Sequence, residues 1–164
     1  MPNLREQLEQ NLSGRVCCLG LGNTDYGDDG FGVRLAEQLI AAGLPDVIIA
    51  GTTPDRWLGQ VTDFDHVLFL DAVDWGGTPG SAALMNSTEI TSRFPQVSTH
   101  KISLGLLAKW VEENGTTKAW LLGVQPASLR PSPSLTPTIE TSLQALAEML
   151  SGLVVGQLVG ANPC

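Results

Sequence analysis

The chain is short of cysteine, histidine and basic residues, and each shortage narrows what it can be. Its three cysteines are an odd number, and Cys17 and Cys18 are neighbours in a predicted strand. Adjacent strand residues face opposite sides of a sheet, so the two are poor disulfide partners. They read as reduced core residues of a cytoplasmic protein, and a disulfide-stapled secreted scaffold is not expected. Nine Lys and Arg stand against seventeen Asp and Glu, for a net charge of −8. That balance argues against nucleic-acid or anionic membrane partners; it suits solubility, or a cationic partner such as a metal ion or a basic peptide. Residues 1–14 hold no apolar signal-peptide core. No uninterrupted apolar run reaches the length of a membrane helix. A soluble, cytoplasmic protein with no membrane insertion is the expectation.

Familiar catalytic and nucleotide-binding patterns are missing as well. The dinucleotide fingerprint fails because Asp25 stands where Gly20-x-Gly22 would need its third glycine. The phosphate-loop spacing exists from Gly22 to Gly27, but Asp28 and Asp29 occupy the Lys and Ser/Thr positions. Two carboxylates there repel a polyphosphate. No Ser sits in a G-x-S-x-G elbow. There are no internal repeats and no linker that would divide the chain.

What is present suits one domain, since 164 residues with 43% apolar content can bury a proper core. The centre of the pattern is the stretch 16–32, VCCLGLGNTDYGDDGFG, read as a buried strand, a glycine-rich turn and two adjacent acids where a helix begins. Residues 3–12 suggest a short amphipathic helix through Leu4, Leu8 and Leu12, an appendage on the domain. A strand over 15–21 leads to a helix over 29–42, with Val33, Ala36 and Ile40 on one face, flanked by Leu35 and Leu39. Strands follow at 47–50, 67–73, 81–85 and 119–124. Short or longer helices are predicted from Thr52 through Val61 and over 102–113, with a loop from 86 to Val97. A last helix opens at Thr136-Pro137 and buries Ile139, Leu143, Leu146 and Leu150. The expected division is an N-terminal extension over 1–14, an α/β domain over 15–152 and a tail over 153–164. Strands alternating with helices predict a twisted, mostly parallel five-stranded sheet with helices on both faces.

In such folds chemistry collects at the carboxyl edge of the sheet. Asp29 follows the first strand, Asp71 ends the third, and His100 precedes the 102–113 helix. Two carboxylates and an imidazole form a ligand set for Zn²⁺, Ni²⁺ or a similar divalent ion. Plainer readings stand beside this one. Asp28 and Asp29 can cap a helix and complement its dipole; Asp71 can cap a turn; His100 can pair with an acid. His66, fringed by Asp63 and Asp65, reads as structural. The tryptophans at 57, 75, 110 and 120 read as core or rim packing, with Trp75 a candidate cleft residue.

The sequence resembles the endopeptidases that mature the large subunit of [NiFe] hydrogenases. The resemblance rests on the run from Gly20 to Gly32, on Leu70-Asp71-Ala72, on Ser98-Thr99-His100, on Gly123-Val-Gln-Pro126 and on Leu135-Thr-Pro-Thr-Ile-Glu140. It covers about residues 15–150, and the combination is specific where each piece is not. The Thr-His and Gly-Val-Gln-Pro versions point to the branch serving formate-linked hydrogenases. The resemblance implies metal contacts by Asp29, Asp71 and His100, the last three also being its catalytic candidates. It implies a substrate, the large-subunit precursor already carrying nickel, from which a short C-terminal extension is cut. Nickel is then substrate-borne, and Zn²⁺ or Cd²⁺ can occupy the same site.

Hydrolysis would need water activated without a thiol, because Cys17 and Cys18 lie inside a strand. Either a metal polarises the carbonyl and acidifies water, or nickel docks the substrate and Asp29 serves as general base. A base role calls for a raised Asp29 pKa, to which like-charged Asp28 can contribute. The alternative function is a non-enzymatic, metal-dependent chaperone or binding module for a metalloenzyme precursor.

Overall fold

Five apolar runs pair edge to edge to form the sheet, and the helices between them cover both of its faces. The computed structural model describes residues 2–94 and 103–160. Its strands are β1 (Val16–Leu21), β2 (Val47–Gly51), β3 (His66–Ala72), β4 (Ala82–Asn86) and β5 (Lys118–Val124). The order across the sheet is β2-β1-β3-β5-β4. Pairings are parallel except for β4, which runs antiparallel to β5. The expected class, a mostly parallel five-stranded α/β sheet, is the one found.

Alternation along β1 and its neighbours divides the core in two. Cys17, Leu19, Val67, Phe69, Ala119 and Leu121 face α3 (Leu58–Val61), α4 (Ser87–Arg93) and α5 (Leu104–Glu113). Cys18, Leu68, Leu70, Leu122 and Val124 face α1 (Leu4–Asn11), α2 (Phe31–Ala41) and α6 (Pro137–Gly160). Cys17 and Cys18 are both unbridged and sit in opposite half-cores, as the period of two requires.

Several expectations need correction. Residues 1–14 are more than an appendage: Leu8 and Leu12 are buried in the half-core shared with α2 and α6. The stretch after β4 is a helix where a loop was expected. Asn86 caps α4 by accepting from the Glu89 N–H, and the Glu89 side chain accepts from Asn86 N in return. Ile40 is 47% exposed, and the α2 face turned inward carries Phe31, Val33, Leu35, Ala36 and Leu39. The Asp28-Asp29 pair forms a 3₁₀ turn, Gly27–Gly30, and α2 begins after it with no side-chain cap. The last helix runs on past Gly152, because a lone glycine costs a helix only about 1 kcal/mol and does not stop it.

Candidate functional site

The strand order decides where a cleft can open. From β1 the chain crosses to β2 on one side, then returns to β3 on the other. The two connections part above the carboxyl ends of β1 and β3, which is where α/β sheets hold ligands. The residues leaving those two strand ends are Gly22 and Asp71.

Gly22 has φ +119°, a conformation that disfavours any side chain, and its N–H donates to Gly51 O at 3.0 Å. The turn beyond it folds back on itself. Asn23 N–H donates to Asp29 Oδ2 at 2.9 Å, Asp25 N–H donates to Asn23 Oδ1 at 2.9 Å, and Tyr26 N–H donates to Asn23 O at 3.2 Å. This brings the Asp29 backbone over Gly22 so closely that a Cβ there would collide with the Asp29 carbonyl. The same Cβ position lies 3.5 Å from Asp71 Oδ1. A single glycine therefore separates the Asp29 turn from the Asp71 carboxylate. Asp71 is 6% exposed and stands in register with Gly123 on β5, which offers no side chain to cover it.

The structure thus brings the Asp29 backbone and the Asp71 carboxylate to one notch. His100 lies outside the described residues. Ser103 caps α5 by accepting from the Leu106 N–H at 3.1 Å. Among the described residues, no group of three or more His, Cys, Asp or Glu side chains is assembled for a metal. The donors present, two carboxylates at a sheet edge, fit a hard or borderline divalent cation as part of a larger set.

Asp28 has a task of its own. It is fully buried, and its carboxylate accepts from Ala127 N–H and Ser128 N–H at 2.9 Å each. The other oxygen accepts from Thr136 N–H at 2.7 Å, and the Thr136 hydroxyl lies within 3.0 Å of both oxygens. These contacts tie the 3₁₀ turn to the strap of residues 126–136. In the sequence Asp28 reads as a cap or as a charge acting on Asp29, because its partners lie about a hundred residues away.

Gln125 is the second residue whose role the sequence hid. Buried under the exit of β3, its Oε1 accepts from Trp75 N–H and Gly77 N–H at 3.0 Å each, and its amide donates to Asp74 Oδ1 at 3.0 Å. That bond, with one from Gly76 N–H, holds the Asp74 carboxyl below its ordinary range. Trp75 is half-buried against the α5-side core. His66 sits at the opposite, amino edge, where Trp120 Nε1 donates to its Nδ1 at 3.1 Å. Burial lowers its pKa, opposed by Asp65 and the Ser13 backbone. It is structural, as the sequence suggested.

Comparison with known proteins points in one direction. The family profile described as hydrogenase maturation protease (HycI) matches residues 33–152. The chain is 31% identical to the hydrogenase 2 maturation protease of Escherichia coli K12 over 148 residues, 85% of this chain and 90% of that one. It is 29% identical to the hydrogenase 3 maturation protease of the same organism, over 82% of this chain and 87% of that one. The crystal structure of the [NiFe] hydrogenase maturation protease HycI from Thermococcus kodakarensis KOD1 superposes with a TM-score of 0.78 at 31% identity, covering 90% of this chain and 97% of that one. The endopeptidase HybD of E. coli gives a TM-score of 0.68 at 28% identity, covering 83% and 89%. Near-equal identity to the hydrogenase 2 and hydrogenase 3 enzymes leaves the two branches unseparated.

Proposed function

Because the chain belongs to the hydrogenase maturation protease family, we propose that it is the endopeptidase that trims a nickel-loaded large-subunit precursor. The cut releases a short C-terminal extension, and the precursor's own nickel is what the enzyme reads. The observation that carries this is the Asp29 turn folded over Gly22 beside the Asp71 carboxylate. A cation borne by a substrate would meet two acids on one rim, with His100 as the third contact.

In this reading the nickel positions the scissile peptide, and the protein's carboxylates do the chemistry. Asp29 takes a proton from water as the water oxygen attacks the amide carbon. The C–N bond then breaks, the leaving amine recovers the proton, and a new carboxyl end remains on the large subunit. Neither strand thiol takes part: burial pushes the Cys17 thiol up to about 11 and the Cys18 thiol up to about 12.

Mass spectrometry of the large subunit tests the proposal, after incubation with nickel-loaded and nickel-free precursor. Loss of a C-terminal peptide from the loaded form alone is the expected result. Binding with no change in mass would overturn it in favour of a non-enzymatic binding module. The Asp29→Asn variant keeps an oxygen for the Asn23 N–H yet loses the base, so its cleavage rate should fall about 100-fold or more. Its melting curve should stay close to that of the parent.

A further inference from the structure

We infer that Asp28 is a positioning residue: through Thr136 and the 126–136 strap it sets the attitude of Asp29. The inference rests on the peptidase reading for its catalytic consequence, but its geometry stands alone. The two aspartates are consecutive in one 3₁₀ turn, Gly27–Gly30, so the backbone that anchors Asp28 also sets the direction in which the Asp29 side chain leaves the chain. Asp28 is anchored inward by three backbone N–H groups and one hydroxyl, all of them donors. The turn is also stitched to the same strap through its own backbone, up to and including Asp28. Gly27 N–H donates to Ser132 O at 2.9 Å, Ser132 N–H to Asp25 O at 2.9 Å, and Asp28 N–H to Ser128 O at 3.1 Å. Gly27 has φ +56°, and a Cβ there would come within 3.1 Å of the Arg130 and Ser128 carbonyls, so the strap lies directly on the turn.

With Asp28 turned into the strap, the Asp29 carboxylate is left to accept from the Asn23 N–H on the loop that follows β1. The bond from Asn23 N–H to Asp29 Oδ2 is the reporter of that attitude. A carboxylate is the one side chain of this size that only accepts. An isosteric amide would aim N–H groups at N–H groups on one side.

Hydrogen exchange followed residue by residue, combined with steady-state cleavage, provides the test. In Asp28→Asn the Asn23 amide should exchange at least tenfold faster, while the amides of Leu19 in β1 and Phe69 in β3 keep their protection. Thr136→Val, a milder change that guards against a failure to fold, should speed Asn23 exchange several-fold. Thr136→Ser, which restores the hydroxyl, should match the parent. Both damaging variants should lower kcat and leave the KM for precursor within twofold. Unchanged Asn23 protection, or equal acceleration of Asn23, Leu19 and Phe69, would overturn the inference, the latter marking Asp28 as merely structural. An unchanged kcat with Asn23 loosened would overturn it too. If the parent protein cleaves no precursor, the peptidase reading fails while the exchange result still decides what Asp28 positions.

Discussion

Asp28 and Asp29 share a peptide bond and face different surroundings. One is sealed beneath a strap by four donors; the other is half-buried and accepts from the Asn23 backbone N–H. Chemical identity did not assign these tasks; the direction of the 3₁₀ turn did. His66 makes the same point at the other edge of the sheet. Its folded pKa is lowered, first by burial, so below the ordinary 6.5 the unfolded chain binds the extra proton more readily. Stability should therefore fall as pH drops from about 6.5 toward the folded pKa of His66, and this contribution should be absent above that range. Urea unfolding of the parent and of His66→Gln at pH 7.5 and pH 5.5 checks this, with roughly those two settings bracketing the window. The variant should lose less of its midpoint on acidification than the parent does.

At the level of elements, the first helix changes most in meaning. The spacing of Leu4, Leu8 and Leu12 predicts an amphipathic helix appended to the domain, yet Asn3 and Glu6 cap it reciprocally, and Leu8 is 0% exposed among Cys18, Leu68 and Leu150. Leu8→Ala should therefore cost about 2–5 kcal/mol, the range for emptying a packed leucine site. Denaturant melts will measure it, and a loss below about 0.5 kcal/mol would return the helix to the status of an appendage. Helix α4 leaves no periodic mark on the sequence, because its seven residues carry one buried side chain, Ile90, and no apolar period. The Asn86-x-x-Glu89 capping box was the available sign of it.

For the molecule as a whole, the decisive feature is one sheet serving two half-cores. Cys17 and Cys18 report on opposite halves from adjacent positions, and burial raises both thiols to about 11 and about 12 respectively. Neither should react with iodoacetamide near neutral pH while the sheet is intact, because the thiolate is the nucleophile. Because β1, β3 and β5 are shared walls, the halves should open together. Tandem mass spectrometry after labelling across a urea series should find one midpoint for both thiols. A lower midpoint for Cys18 would show that the half closed by α1, α2 and α6 unfolds separately.

Alternation of two and spacing of about 3.6 are local properties, and they sufficed to locate β1, β3, β5, α2, α5 and the start of α6. The glycine turn and the acids at strand ends were legible for the same reason. Each is marked by residues within a few positions of it. Contacts across long chain separations were not legible. That α1 closes a half-core, that Ile40 turns to solvent, that Gln125 braces the turn after β3 and that Thr136 receives Asp28 all depend on which surfaces meet. Sequence spacing records neighbours along the chain; burial and hydrogen bonding between residues a hundred positions apart are settled only when the sheet has folded and brought them together.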